Sequence, residues 1–409
     1  MSDAPESPST PPVILQVLPS MVTGGVERGT VEIAQAIVQS EGVALVASAG
    51  GPLSASIERA GGRHFTLPLK TKNPLGIWRN AARLEALIRA ENVRIVHARS
   101  RAPAWSAWLA CQRTGAHFVT TYHGTYSEDF PLKRRYNAIM ARGEIVIAAS
   151  RFIADLIKAQ HGVPEERIRV IPRGVDTAIY DPAIIVPDRL FRLARTWRLP
   201  DGAPTVVLPG RLTSWKGHAV LLEAMARLQR PDVCCVFVGS DQGRTAYTKS
   251  LLAQAASLGI AEQVRLVGHC EDMPAAMMLS DVVVHASTKP EAFGRVVIEA
   301  QAMGRPVVAA DLGGPVETVE HEVTGWRVPP GNPEALAGAI AHALSLDADA
   351  RRDLGERARA SVPTVRAMQD ATLDVYEEVL TRGPLAQRSG HSSALAADFI
   401  PGHRDATPL

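Results

Sequence analysis

The residues best suited to chemistry in this 409-residue chain are two cations and two carboxylates in its later half. Arg211 and Lys216 flank the turn Pro209-Gly210-Arg211-Leu212-Thr213-Ser214-Trp215-Lys216-Gly217, which follows an apolar run and precedes a helical pattern. A guanidinium offers phosphate oxygens a planar fork, and an ammonium offers a compact charge. Together with the free N–H groups of a helix start, the pair could hold a diphosphate without a metal. A plain solvated basic turn would use the same residues. The second pair brackets Glu291-Ala292-Phe293-Gly294-Arg295-Val296-Val297-Ile298-Glu299. Gly294 and Arg295 stand where a helix opens, so the first backbone N–H groups point outward, ready for phosphate. Helical side chains lean towards the N-terminus, so Glu299 can reach back to the same ligand, where a carboxylate suits the neighbouring hydroxyls of a ribose. Glu291 lies before the helix and would meet another part, such as a sugar ring. Capping or surface charge is the alternative for both, though Glu299 sits between Ile298 and Ala300 on a mainly apolar helix.

Weaker candidates lie in the first half. Gly24 and Gly25 sit between a strand pattern and a helix pattern, where paired glycines let backbone pass close to a ligand. The spacing is not G-x-G-x-x-G, which disfavours a dinucleotide site, and a tight turn fits equally well. Arg99 and Arg101 end another strand, with Trp105 and Trp108 on the next helix. Lys133-Arg134-Arg135 follows Tyr126 and Phe130. Arginines beside aromatics could receive an anionic, lipid-linked saccharide, or they could be solvated residues over core tryptophans. The histidines, His97 and His285 among them, form no spaced cluster and read as core or surface residues. Asp347-Ala348-Asp349 fits a short metal-binding pattern, but opens a polar helix, where capping is the better reading. No metal site is expected. The four cysteines show no ligand spacing and read as reduced, buried thiols.

Near-continuous apolar runs alternate with helical stretches. The strand candidates are Val13–Pro19, Val43–Ser48, Phe65–Leu69, Val93–Ala98, Phe118–Tyr122 and Ile145–Ala149, then Thr205–Leu208, Val233–Val238, Val264–Val267, Val282–His285 and Pro306–Ala310. Runs of this kind suit parallel strands covered on both faces. Strand–helix alternation then gives an α/β chain with two doubly wound, Rossmann-like domains. In open sheets of this type ligands bind beyond the carboxyl ends of the strands, so two facing sheets would make one cleft. The expected divisions are a disordered tail at 1–12, an N-terminal acceptor-side domain at 13–180 and a linker at 181–203. After these come a nucleotide-sugar domain at 204–364, a helix at 365–382 packing back on the first domain, and a second tail at 383–409.

The composition, 46% hydrophobic and 21% charged, is that of a globular protein. Net charge is +2, with 21 Lys/Arg against 16 Asp/Glu in residues 1–185 and 23 against 26 beyond. The basic half could face anionic lipid or an anionic acceptor. No apolar run is long enough to span a bilayer, and the first twelve residues lack the apolar core of a signal peptide. A cytoplasmic protein, in peripheral contact with the inner membrane at most, is expected, with no nucleic-acid partner.

Four pieces in order resemble glycosyltransferase family 4: Gly24-Gly25-Val26-Glu27, Tyr122-His123-Gly124 after a strand, the Gly210–Gly217 segment, and Glu291 with Glu299 eight residues on. Ser150-Arg151-Phe152 and Val170–Asp176 add to the likeness, which covers about Val13 to Leu380. The resemblance implies the GT-B fold and retaining transfer of a hexose-type sugar from a nucleoside-diphosphate sugar. It implies that Arg211 and Lys216 bind the diphosphate, Glu299 the ribose, and Glu291, Phe293 and Gly294 the sugar and phosphate. Gly25 would approach the phosphates, His123 would contact the donor sugar near the reacting carbon, and the Gly268–Met273 loop would lie near the base. Arg99, Arg101 and Tyr126 are the acceptor candidates. The departing phosphate would accept the acceptor's proton, so neither a protein nucleophile nor a metal or other cofactor is expected. The acceptor would be a saccharide of lipopolysaccharide or another envelope glycan. A small soluble acceptor and a silent sugar-nucleotide-binding subunit are the rivals.

Overall fold

The computed structural model describes residues 11–22, 24–126 and 131–382. Most of the expected first tail, the expected last tail and Phe130 lie outside the described residues.

In the first half the elements are β1 (Val13–Val17), α1 (Gly25–Gln39), β2 (Val43–Ser48), α2 (Ser54–Arg59), β3 (Arg63–Thr66), α3 (Pro74–Ala90), β4 (Ile95–Ala98), α4 (Arg101–Thr114), β5 (His117–Tyr122), α5 (Pro131–Asn137), β6 (Ile145–Ala148), α6 (Arg151–His161) and β7 (Ile168–Val170). The second half continues with α7 (Pro187–Thr196), β8 (Thr205–Pro209), α8 (His218–Leu228), β9 (Cys234–Val238), α9 (Thr245–Ser257), β10 (Val264–Gly268), α10 (Met273–Met278), β11 (Val282–His285), α11 (Arg295–Ala302), β12 (Val307–Ala310), α12 (Pro315–Thr318), β13 (Trp326–Val328), α13 (Pro333–Ser345), α14 (Ala348–Ser361) and α15 (Val365–Thr381).

Among the described residues the strands form two sheets, ordered β3-β2-β1-β4-β5-β6-β7 and β10-β9-β8-β11-β12-β13. Every pairing in the second sheet is parallel, as are those from β3 to β5 in the first. Both orders are doubly wound: the chain leaves β1 in one direction and returns to its other side as β4, and does the same around β8 with β11. The apolar runs explain the burial. β8, β9 and β11 are buried along their whole length, because helices cover both faces of a parallel sheet. Edge strand β10 is half-buried.

Two strands, β7 and β13, are absent from the expected set. Each has three residues and lies at a sheet edge, too short for an apolar run to stand out. The stretch expected as linker carries α7, whose C-cap, Trp197, is buried against Val207 and Val236.

The chain divides into two compact units, 1–121 with 130–146 and 373–409, and 122–129 with 147–372. The expected first domain is therefore shared between them, and α15 begins in one and ends in the other. In the first unit, buried His97 joins Thr121 Oγ1 at 2.6 Å to the hydroxyl of Tyr376 on α15 at 2.7 Å. Burial, helped by nearby Arg99, holds the His97 imidazole well below its usual range, so the ring is neutral.

Helix ends follow local chemistry. Asn73, Ser150, Asp272, Asn332 and Asp347 each cap a helix start by accepting a backbone N–H. Gly115 and Gly162 close α4 and α6 in the left-handed region.

Candidate active site

In the second sheet the winding reverses between β8 and β11, whose Val206 and Val207 face Val282 and Val283. At such a point the two loops leaving the strands diverge and open a crevice. These loops are Gly210–Gly217 after β8 and Ala286–Gly294 after β11, the two segments richest in candidate residues.

The first loop is fixed by backbone bonds. Gly210 N donates to Val238 O at 2.8 Å, Leu212 N to Ser240 O at 3.1 Å, and Thr288 N to Trp215 O at 2.7 Å. Gly217 then opens α8 with φ 79°. A Cβ there would stand 1.9 Å from the carbonyl oxygen of Ala286, so both the left-handed backbone and the close approach require glycine.

The second loop is held through three successive carbonyls. Pro290 O accepts from Thr125 Oγ1 at 3.1 Å, Glu291 O from Gly314 N at 2.8 Å, and Ala292 O from Ser150 Oγ at 2.6 Å. Gly294, φ 78°, turns this segment into α11.

The loops meet at one carboxylate oxygen. Glu291 Oε1 accepts from Lys216 Nζ at 2.6 Å, from His285 Nε2 at 2.8 Å and from Ser287 Oγ. Burial by itself would raise the Glu291 carboxyl, but His285 and Lys216 outweigh it and hold the group well below the ordinary carboxylate range. Glu291 is therefore fully ionised near neutrality. Lys216 Nζ also lies 4.7 Å from the Trp215 ring centroid, over the ring. Next to it, His218 is fully buried at the start of α8, edge-on to Phe237 with ring centroids 5.0 Å apart. Burial lowers its pKa to about 4, and the Lys216 charge adds to the effect, while the ring's interaction with the Thr213 backbone carbonyl opposes it. The ring is neutral at physiological pH and leaves Lys216 as the charge beside the crevice.

His123, Tyr126, Arg211, Lys216 and Glu291 line one cavity of about 480 Å³, together with Trp215 and Ala292. Phe293, Gly294, Arg295 and Glu299 do not line it; they belong to the adjoining start of α11. There Glu299 is buried, with Arg295 Nε 3.5 Å from its Oε1. The Gly268–Met273 loop is also outside the cavity wall, and its Asp272 takes two bonds from Arg189 at 2.6 and 2.9 Å.

The other candidates lie in the first unit. Gly24 precedes α1 in extended conformation, and a Cβ there would meet the Glu27 carboxylate at 2.3 Å. Arg99 is 3% exposed and donates to Gln16 Oε1 at 3.0 Å. Arg101 donates to Asn137 Oδ1 at 2.6 Å. Trp105 is buried, and the guanidinium of Arg142 stands 4.5 Å over the ring of Trp108. Asp347 caps α14, accepting from Ala350 N at 2.8 Å. Among the described residues no group of three or more His, Cys, Asp or Glu side chains is placed to hold a metal.

His285, read from the sequence as a core or surface residue, is buried as a core residue would be, and its ring nitrogen also bonds Glu291, which that reading did not foresee. Ser287 was missed too. Both could have been found from their position, since His285 ends β11 and Ser287 opens the loop after it, at the side where the winding reverses.

Comparison with known proteins bears on the same segments. Residues 23–179 match the family described as Glycosyltransferase Family 4, and residues 192–361 that described as Glycosyl transferases group 1. A D-inositol 3-phosphate glycosyltransferase of Jonesia denitrificans is 31% identical over 311 residues, 69% of this chain and 71% of that protein. A glycosyltransferase from Rickettsia africae superposes with a TM-score of 0.84 at 37% identity, over 91% of this chain and all of its own. Anabaena HepE, crystallised with UDP and glucose, gives a TM-score of 0.79 at 27% identity, over 90% of this chain and 99% of its own.

Proposed function

Because the chain belongs to glycosyltransferase family 4, retaining enzymes of the GT-B fold that use nucleotide sugars, we propose that it moves a hexose from a UDP-sugar to a saccharide of the cell envelope. The observation that carries the reading is the meeting of Arg211, Lys216, Glu291 and His123 around one cavity. Cleaving the bond to the anomeric carbon leaves negative charge on the nucleoside diphosphate. Two cations on one loop, Lys216 held by Glu291 and the exposed Arg211, are the device that stabilises it, and a diphosphate arriving there would compete with Glu291 for the Lys216 ammonium. Glu291 then serves the donor sugar's hydroxyls as an acceptor. A carboxylate with so low a proton affinity, one of whose oxygens already takes three donors, is a poor base and a poor nucleophile. This supports a mechanism in which the departing phosphate receives the acceptor's proton on the same face. Glu299 binds the ribose, His123 lies near the reacting carbon, and no metal takes part, the two aspartates of the Asp347–Asp349 motif being used at a helix start. Arg99, Arg101 and Tyr126 remain the acceptor-side candidates.

UDP as the nucleotide rests on the complexes of HepE with UDP, glucose and UDP-glucose. A second reading, a small phosphorylated acceptor, is favoured by the names of the D-inositol 3-phosphate glycosyltransferase relatives. Thermal-shift titration with UDP-, GDP- and ADP-sugars tests the donor, and a UDP-sugar should give the largest stabilisation. Proton NMR of the first-formed product tests the stereochemistry: an inverted anomeric centre would overturn the mechanism. Transfer to inositol phosphate but not to envelope saccharides would establish the second reading.

A further inference from the structure

Helix α3 carries two apolar stripes, and only one of them packs into a core. Ile77, Ala81, Leu84 and Ile88 are buried, at the spacing of an inward face. Leu75, Trp78 and Ala82 repeat at i, i+3, i+7 and lie roughly 120° further around the helix. Leu75 is 54% exposed and Trp78 56%, and Ala82 is exposed as well. Asn73 and Pro74 fix the helix start, with Asn73 Oδ1 accepting from Leu75 N at 2.9 Å, so this outer stripe is presented on a rigid support.

Charge around the stripe has one sign. Residues 66–84 hold Lys70, Lys72, Arg79 and Arg83 and no Asp or Glu. The first acid beyond, Glu85, is taken by Arg89 at 3.1 Å and Arg113 at 3.4 Å. Lys70, Lys72 and Arg79 are exposed and hold no ion pair among the described residues.

From this arrangement we infer that the first two turns of α3, with the Lys70–Lys72 approach, dock on an anionic bilayer surface. Trp78 and Leu75 enter the boundary between headgroups and acyl chains, where an indole with its polar N–H is favoured. The four cations meet lipid phosphates, and their long stems let the charges stay in the headgroup layer while the apolar side chains go deeper. No helix among the described residues is long and apolar enough to cross a membrane, so the contact lies on the surface. The inference does not depend on which acceptor is used.

Flotation of the full chain with vesicles tests it. The protein should float with phosphatidylcholine–phosphatidylglycerol vesicles, remain behind with phosphatidylcholine alone, and release as salt is raised. Lys70→Glu with Lys72→Glu should weaken partitioning at least tenfold, at about fivefold for each cation lost. Trp78→Ser with Leu75→Ser should weaken it to a similar degree, about tenfold, through lost apolar insertion. All four positions are exposed, so the urea unfolding midpoint should not move; that control separates lost docking from lost folding. Equal flotation with neutral vesicles, no flotation at all, or variants that bind like the parent would overturn the inference. So would sedimentation showing that Trp78→Ser only converts a dimer to a monomer, which would make the stripe a contact between copies of the chain.

Discussion

Lys216 Nζ and Glu291 Oε1 stand 2.6 Å apart, with both side chains largely withdrawn from water. Each therefore fixes the position of the other, and the lysine, with His285, keeps the carboxylate ionised. Removing one leaves a partly buried ion without a partner, which costs about 3 kcal/mol in comparable settings. Lys216→Ala should lower turnover at least roughly tenfold through lost leaving-group stabilisation. It should also lower the unfolding free energy measured in urea. Full activity in this variant would remove the lysine from the mechanism.

Glu299→Ala should weaken donor binding about tenfold, the worth of a charge-assisted hydrogen bond, and change kcat less than KM. Calorimetry with UDP and with 2′,3′-dideoxy-UDP checks the assigned target. The loss should disappear with the dideoxy nucleotide, and an equal loss with both would place Glu299 elsewhere than on the ribose.

His218 makes stability depend on pH. Its folded pKa, about 4, is depressed from 6.5, so below pH 6.5 the unfolded chain takes up the proton more readily. Stability is complete above about pH 6.5 and falls as pH drops towards 4, by about 3 kcal/mol over the window. His218→Phe should flatten urea-derived stability between those limits. An unchanged slope would mean that other groups cause it.

Gly217→Ala should cost more than 2 kcal/mol, a rough bound from forcing both a left-handed backbone and a clash onto alanine. Gly259 provides the comparison: it has φ +71° but nothing within 4 Å of an added Cβ. Gly259→Ala should cost only about 1 kcal/mol. Similar melting temperatures for the two variants would show that the Ala286 carbonyl yields easily.

Transfer should continue at the same rate in excess EDTA, since the proposed stabilisation of the leaving group comes from Arg211 and Lys216. Loss of activity restored by a divalent cation would replace that scheme.

Much of the fold could be read from the chain because its inner strands are written in near-continuous apolar runs. Val282–His285 was read with the same bounds as β11, and Thr205–Leu208 one residue short of β8. The edge strands β7 and β13 escaped, since three residues carry no period. At the site, Arg211, Lys216 and Glu291 were visible through residue type and loop position. His285 was not, because a lone histidine ending an apolar run looks like core until the sheet order shows which neighbour's loop it faces. Arg99 illustrates the reverse: one charge at a strand end says nothing of the Gln16 side chain waiting beside it inside the fold.

The three occupied carbonyls at 290, 291 and 292 bear on how such an enzyme diverges. Thr125, Gly314 and Ser150 reach them from three separate stretches of sequence, so adding or deleting one residue there would strand several partners at once. This wall can change by exchange of side chains but hardly by change of length. Descendants that come to prefer another sugar should keep the residue count between β11 and α11 while altering what projects from it.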